Sequence, residues 1–468
     1  MILEQYYIEC LSHASYLIGD ESTGRAVVVD PRRDVTEYLA DARRLGLTLE
    51  GVINTHFHAD FVSGHLELAD AAGAWIGFGE AADTDYPIRR LRHGEHVSLG
   101  EVDLEVLSTP GHTWESISLL VRERPLDTPT AVLTGDALFI GDVGRPDLAN
   151  LGAGTTADLA RAMYRTIHET LLPLPDPVTV LPAHGAGSSC GKNLSAELTS
   201  TIGEQRRTNP TVQPMTEDAF VALITAGQPA VPSYFAADVA LNKTNRPLLD
   251  RQRRIPEVTA TQLRNELGAG THVLDARSPD DFAAGHLAGS VNVGFEGRFA
   301  ETGGMVADLG ERILLITYPG QEQDAAMRLA RIGSDGAAGF LNVDGDGAFP
   351  ADLTDLVRTA PRTTVLELDR LRTAGAITVI DIRNPGEREM GVIPEAVPIP
   401  LAQLRSRLGE IPSALPIVVH CAGGWRSSVA ASLLRAHGVE QVSDLVGGYT
   451  AWAAQHCPPD HLATAGAE

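Results

Sequence analysis

Six side chains of metal-binding type stand behind short apolar runs before residue 200. His56, His58 and Asp60 follow Val52-Ile53-Asn54 in the run Thr55-His56-Phe57-His58-Ala59-Asp60-Phe61. That spacing puts them on the loop leaving a strand, where side chains can converge on one ion. His112 in Thr109-Pro110-Gly111-His112-Thr113, Asp136 in Leu133-Thr134-Gly135-Asp136 and His184 in Leu181-Pro182-Ala183-His184-Gly185 repeat the arrangement. One such histidine alone is more often an ordinary surface or core residue. Four segments in succession point to a site assembled by loops over a scaffold. Imidazole suits zinc, iron, copper and nickel about equally, so ligand type leaves the metal open. Two histidines and a carboxylate with open positions form the donor set of oxygen-activating non-haem Fe(II), and His56, His112 and Asp136 can provide it.

A second chemistry lies near the C-terminus. His420-Cys421-Ala422-Gly423-Gly424-Trp425-Arg426-Ser427-Ser428 ends the run Ile417-Val418-Val419 and opens an alanine-rich helix. A thiol there meets backbone N–H groups and the positive end of a helix, both of which favour anionic sulfur, and Arg426 adds charge. A second thiol setting, Ala186-Gly187-Ser188-Ser189-Cys190-Gly191-Lys192, has two readings. Cys190 is either a small residue in a glycine-rich loop or a thiol near the metal pocket, with Lys192 able to lower its pKa.

The first motif resembles the His-x-His-x-Asp-His signature of the metallo-β-lactamase superfamily, with Phe61 where the last histidine stands. In the dinuclear hydrolases of that superfamily this histidine binds a second metal, which phenylalanine cannot do. The departure moves the expectation from a two-metal hydrolase to a one-metal enzyme. Thr134-Gly135-Asp136-Ala137-Leu138-Phe139-Ile140, followed by Gly141-Asp142-Val143-Gly144-Arg145-Pro146-Asp147, is similar to the persulfide dioxygenases, the branch that oxidises thiol-bound sulfane sulfur. This resemblance covers most of residues 1–200. It implies one Fe(II) per chain on His56, His112 and Asp136, with zinc as the alternative. It places His58, Asp60 and His184 close by, as supports of those ligands or remnants of a second metal site. It also implies that Arg145 faces the anionic end of a glutathione-like substrate, a role suited to its charge and forked donors.

The C-terminal loop keeps four residues between Cys421 and Arg426, one fewer than the phosphate cradle of cysteine phosphatases. In this it resembles rhodanese-type sulfurtransferases, whose cysteine carries a persulfide. Asp381-Ile382-Arg383-Asn384-Pro385 and Gly447-Gly448-Tyr449-Thr450-Ala451-Trp452 look like further landmarks of that family. By this resemblance Cys421 and Arg426 are catalytic, and Ala422, Gly423, Gly424 and Trp425 cradle the sulfur.

Elements must hold these residues. Apolar runs such as Ala26-Val27-Val28-Val29-Asp30 and Ala131-Val132-Leu133-Thr134 alternate with helical stretches over 35–45 and 156–172, the pattern of strands packed with helices. Residues 203–255 are polar and proline-dotted, and are expected to form a helical extension and connector. Beyond them the chain repeats itself. Leu274-Asp275-Ala276-Arg277-Ser278-Pro279 is echoed 106 residues later by Ile380-Asp381-Ile382-Arg383-Asn384-Pro385, and Gly285 by Gly391. A period this long is a domain duplication. The expected architecture is therefore α/β and multidomain. An αββα metallo-β-lactamase sandwich over 1–202 precedes a rhodanese-like domain over 256–355 and a rhodanese domain with Cys421 over 362–457. The first copy reads Thr317-Tyr318-Pro319-Gly320-Gln321-Glu322 at its loop and has no cysteine to carry sulfur.

Composition narrows the partners. A chain of 468 residues exceeds one core. Its net charge of −24 argues against nucleic acid or an anionic membrane as partner. No run of 18 apolar residues predicts a membrane span, and no basic-then-apolar leader opens the sequence. Four scattered cysteines, at 10, 190, 421 and 457, form no disulfide framework, which favours a reduced, cytoplasmic setting. The expected function is oxidation of a low-molecular-weight thiol persulfide by O2 to sulfite, coupled to sulfur transfer between thiosulfate or sulfite and thiol or persulfide. The enzymatic rival is a glyoxalase II-like zinc thioester hydrolase joined to the same sulfurtransferase; a non-enzymatic rival makes the duplicated pair a sulfide-sensing or docking module. The carrier thiol, the direction of transfer and the oligomeric state, with a homo-oligomer among the options, stay open.

Overall fold

The structure is a computed structural model of the chain, and the description covers residues 1–124, 128–148, 154–343, 347–412 and 414–456. Cys457, the expected end of the second rhodanese domain, lies outside the described residues. The chain forms two compact units, Met1–Pro229 with Phe235–Gln252, and Ala230–Tyr234 with Arg253–Glu468.

In the first unit, strands β1 (Ile2–Ile8), β2 (His13–Asp20), β3 (Arg25–Val29), β4 (Thr48–Ile53), β5 (Trp75–Gly79) and β6 (Arg89–Leu91) form one sheet in sequence order. Strands β7 (His96–Ser98), β8 (Val102–Ser108), β9 (Ile117–Glu123), β10 (Ala131–Gly135), β11 (Thr179–Pro182) and β12 (Ser200–Thr201) form the other, also in order. The period-2 alternation of strands explains how two layers become a sandwich. Tyr16, Ile18, Val27 and Val29 point to a core shared with Leu104, Val106, Leu119 and Val121 of the second sheet. Their neighbours Leu17, Ala26 and Val28 point outward to a core with Tyr38, Ala42 and Leu68 of the covering helices. The outer face of the second sheet is covered likewise, Val132 and Val180 meeting Ala160, Met163 and Phe220. Strands buried on both faces read as unbroken apolar runs, which is why Val27-Val28-Val29 shows no alternation. The αββα arrangement expected from the sequence is what forms.

Most of the polar segment after residue 202, up to Pro229 and from Phe235 to Gln252, is built into this unit. Phe220 and Ile224 of the helix Glu217–Thr225 enter the core beneath the second sheet. The helix Phe235–Lys243 carries Asn242 onto the loop after β4.

The second unit holds the duplicated pair. In the first copy, β13 (His272–Asp275), β14 (His286–Leu287), β15 (Val291–Asn292), β16 (Ile313–Thr317), β17 (Ala337–Asn342) and β18 (Val357–Arg358) give a parallel sheet ordered β15-β13-β16-β17 and a small antiparallel pair β14-β18. In the second, β19 (Arg362–Thr363), β20 (Thr378–Asp381), β21 (Val397–Pro398), β22 (Ile417–His420) and β23 (Val442–Leu445) are ordered β19-β23-β22-β20-β21, all parallel. Each copy is locked by the same buried device. Arg277 is bidentate to Asp275 at 2.9 and 2.6 Å and donates to the Gly285 carbonyl. Arg383 repeats this with Asp381 at 3.0 and 2.8 Å and the Gly391 carbonyl. Desolvating a buried ion pair is repaid partly by further hydrogen bonds, and here the glycine carbonyl accepts one of them. The echoed residues of the sequence are thus the staples of the fold.

Candidate metal centre and thiol loop

The loops after β4 and β10 and the turn between β8 and β9 bring His56, Asp136 and His112 together. One donor atom from each lies within 4.8 Å of the others, and all three residues are buried. Nε2 of His56 stands 3.8 Å and Nε2 of His112 3.5 Å from Oδ2 of Asp136. The rest of each ring is spoken for. His112 Nδ1 donates to the Arg145 carbonyl at 2.8 Å, which leaves Nε2 as a bare lone pair. Thr55 gives its hydroxyl proton to Asp30 Oδ2 at 2.9 Å, so its oxygen accepts from His56 Nδ1 at 2.9 Å. His56 Nε2 and Asp136 Oδ2 are then buried with no hydrogen-bond partner. Orphaned polar atoms are costly when buried, and three convergent lone pairs fit a cation.

The backbone permits this approach at two glycines. Gly135 adopts φ +52°, and a Cβ there would meet Thr55 Oγ1 at 2.6 Å. At Gly144 a Cβ would stand 2.0 Å from the Asp136 carbonyl oxygen. Asp30, at φ 50°, accepts from the Thr55 amide at 2.7 Å and lies 3.0 Å from His58 Nε2, tying the motif loop to the end of β3. Sequence reasoning quoted Asp30 only as the end of an apolar run. It also missed Asn242, which donates to the carbonyls of His58 and Phe61 at 2.9 and 2.8 Å, and Arg246, which pairs with buried Glu67. Side-chain bonds to backbone carbonyls from a distant helix leave no motif to read.

Beside the three donors lies a second group, Asp60, His184 and Cys190, again with donor atoms within 4.8 Å and all buried. His184 is pinned between Asp136 Oδ1 and Asp60 Oδ2, 2.8 Å from each. Burial works against its charge, but the two carboxylates outweigh burial and hold its pKa well above the ordinary value. Burial pushes Asp60 up, yet His184, His58 and His13 hold it below the usual carboxylate range. Phe61 is wholly buried between the rings of His13 and His58, at centroid distances of 4.0 and 4.3 Å. His13, unnoticed in the sequence, opens β2 with neither ring nitrogen hydrogen-bonded. Burial and its histidine neighbours keep it neutral.

Two expectations meet different surroundings. Lys192 does not activate Cys190: its ammonium donates to the carbonyls of Leu223 and Ala226, both at 2.8 Å. Burial, then Asp60 and Asp136, push the Cys190 thiol well above its usual pKa. Arg145 is 1% exposed, bidentate to Asp147 at 2.6 and 2.8 Å, with Nη1 on the Ser189 carbonyl. Reaching a substrate anion from there requires the guanidinium to exchange Asp147 for the ligand.

In the second unit, the loop after β22 carries Cys421 at its base, ahead of the helix Trp425–Ala436. The Gly424 N–H, presented by a left-handed backbone at φ 99°, donates to Cys421 Sγ at 3.1 Å. Ser427 Oγ stands 3.7 Å from the sulfur and donates to the Gly424 carbonyl, closing the loop. Arg426 reaches sideways, paired with Glu387 at 2.9 Å. Ladder register identifies the corresponding loop of the first copy: Asp275 pairs with Ile316 as Asp381 pairs with His420, so Thr317 stands where Cys421 does.

Comparison with known proteins follows the same division. Residues 8–77 match the metallo-beta-lactamase superfamily, and residues 259–345 and 364–455 match the rhodanese-like domain. The human mitochondrial persulfide dioxygenase ETHE1 is 27% identical over 214 residues, 45% of this chain and 75% of that protein. A hydroxyacylglutathione hydrolase-like protein of Mus musculus is 30% identical over 240 residues, 46% of this chain and 81% of that protein. A metallo-beta-lactamase crystal structure from Staphylococcus aureus subsp. aureus COL superposes with a TM-score of 0.66 at 34% identity, covering 73% of this chain and 98% of that one. A dioxygenase and a hydrolase are matched at nearly equal identity, so identity does not separate the two chemistries. With its two sheets, its convergent histidines and these relatives, the first unit places the chain in the metallo-β-lactamase superfamily, and its second unit carries two rhodanese-like domains.

Proposed function

We infer that the chain oxidises a low-molecular-weight thiol persulfide in its first unit and moves sulfane sulfur through Cys421 in its second. The observation that carries the first half is Phe61. Its buried ring fills the position from which a dinuclear hydrolase would offer a histidine, while His56, His112 and Asp136 keep three lone pairs aimed at one point. Two imidazoles and one carboxylate suit Fe(II), which supplies when bound the redox chemistry that joins O2 to sulfur. The balanced reaction is RSSH + O2 + H2O → RSH + SO3²⁻ + 2H⁺. The chain's own residues orient and neutralise. His112 is fixed by the Arg145 carbonyl and His56 by Thr55. His184, protonated between Asp60 and Asp136, offsets their charge and turns Asp136 Oδ2 toward the other two ligands. A substrate with a glutathione-like carboxylate would be met by Arg145 after release of Asp147.

In the second unit the Cys421 thiolate attacks the outer sulfur of thiosulfate. The S–S bond breaks, sulfite leaves with its electron pair, and the sulfur stays on Cys421 as a persulfide for a thiolate acceptor. The reverse sequence turns persulfide and sulfite into thiosulfate. The Gly424 N–H is placed to stabilise sulfur anion throughout. A thiol-reduced cytoplasm suits these steps. The three cysteines among the described residues are free, and no described helix is long and apolar enough to cross a membrane.

The rival is a two-zinc thioester hydrolase, favoured by the second donor group of Asp60, His184 and Cys190. Elemental analysis with an oxygen electrode separates them. One iron per chain and persulfide-dependent oxygen uptake support the proposal. Two zincs with thioester hydrolysis and no oxygen uptake overturn it.

A further inference from the structure

The first rhodanese-like copy has no cysteine in its loop, yet two of its residues touch the helix that follows the loop that does. Gly294, two residues beyond the end of β15, has no left-handed backbone to explain it. A Cβ there would meet the Trp425 ring at 2.2, 2.7 and 3.0 Å, so the indole packs closely over Gly294, where only glycine leaves room for it. Trp425 begins the helix behind Cys421 and keeps 39% of its surface exposed. Asn292 makes the second contact and is fully buried. Its Nδ2 donates to the carbonyls of Asp275 and Arg277 at 3.0 and 2.9 Å, which fixes the amide to the staple of its own copy. Its Oδ1 then accepts from Ser428 at 2.7 Å, and its backbone N–H donates to Ser432 Oγ at 2.9 Å. Both serines lie on the Cys421 helix, and Ser427, beside Ser428, touches the sulfur.

The duplication does not preserve these residues in the other direction. Register puts Pro398 of the second copy where Asn292 stands in the first. Proline has no N–H and no side-chain amide, so the grip runs one way, from the cysteine-less copy to the active one.

We propose that Asn292 and Gly294 are positioning residues for sulfur transfer: they hold the helix behind Cys421 and seat Trp425, its first residue, against the cysteine-less copy. The proposal rests on the reading of Cys421 as a sulfur carrier. It predicts that the cysteine-less copy sets the geometry of a reaction it cannot perform. An error near 1 Å in such geometry costs rate steeply, by as much as a hundredfold.

The test is a double-mutant cycle on the full chain with Gly294→Ala, Trp425→Ala and the pair together. Gly294→Ala alone should lower kcat for sulfur transfer by roughly tenfold, because the indole must move, while oxygen uptake with supplied persulfide stays at the wild-type rate. The double variant should be no worse than Trp425→Ala alone, since removing the indole removes the clash. Asn292→Ala should give the same loss, with Asn292→Gln failing to restore it because the longer amide cannot reach both carbonyls and Ser428. The rate of Cys421 alkylation by iodoacetamide, followed by mass spectrometry, reads the loop geometry whether or not sulfur is transferred. A changed alkylation rate in Gly294→Ala that reverts in the double variant supports positioning even if thiosulfate proves not to be a donor, in which case it is the transfer reading that fails. Gly294→Ala with wild-type kcat, KM and alkylation rate would overturn the proposal, as would losses that simply multiply in the double variant.

Discussion

Asp136 serves two neighbourhoods with one carboxylate: Oδ1 accepts from His184, and Oδ2 stands bare beside His56 and His112. Asp136→Ala should therefore remove a ligand and also leave His184 short of a counter-charge. Bound metal and oxygen uptake should fall together, by at least about tenfold in affinity and rate. A variant with full metal by elemental analysis and full oxygen uptake would remove Asp136 from the site. Phe61 tests the count of ions. Phe61→His places an imidazole between His13 and His58, next to Asp60 and His184. Metal per chain should rise above one with no gain in persulfide oxidation, and wild-type protein already holding two metals would contradict this. The histidines and aspartates were legible because they sit in short motifs behind apolar runs. Asp30 and Thr55, which set the proton on His56, were not, because a hydroxyl relay between two strand ends has no spacing of its own. His13 had no signal at all.

Strand-end loops give the element scale its clearest contrast. Both copies keep a left-handed glycine at the same register, Gly424 at φ 99° and Gly320 at φ 90°. In the active loop the Gly424 N–H points at sulfur, whereas the Gly320 N–H is taken by the Glu322 carboxylate at 2.8 Å. Thr317→Cys should consequently yield no sulfurtransferase, because the donor is occupied and the carboxylate opposes a thiolate, raising the thiol's pKa. Alkylation of the new cysteine against pH, in a Cys421→Ser background, measures this directly; a thiol titrating below about 8.5 would contradict it. The repeat itself was legible from the Asp-x-Arg echo, since the paired ions are also the staples of each sheet. The role of residues 203–255 was less so. Their polarity and prolines read as a helical extension and connector; the packing of Phe220 and the side-chain bonds of Asn242 and Arg246 tie most of them to the first unit, while Ala230–Tyr234 and the residues from Arg253 belong to the second.

Across the whole molecule the buried His56, His112 and Asp136 cluster and the Cys421 loop occupy separate units, and Cys421 is remote in sequence from each of those residues. Cys421→Ser replaces a thiolate by a hydroxyl that stays protonated near neutral pH. Transfer from thiosulfate should vanish while oxygen uptake with supplied persulfide stays near the wild-type rate. Surviving transfer would assign sulfur carriage to another thiol. Fold class and duplication were readable at this scale because both follow from apolar runs and a long-period repeat. What no pattern revealed is that one apolar cluster runs through both copies, beside a smaller cluster belonging to each. Leu274, Val291, Val293 and Leu315 of the first copy belong to the same apolar cluster as Ile380, Val419, Val429 and Leu433 of the second. The consequence is thermodynamic. Two repeats joined through a shared apolar cluster should unfold together, so scanning calorimetry of the second unit should show a single endotherm with a van't Hoff to calorimetric enthalpy ratio of about one. The copy without a loop cysteine remains half of a single melting unit.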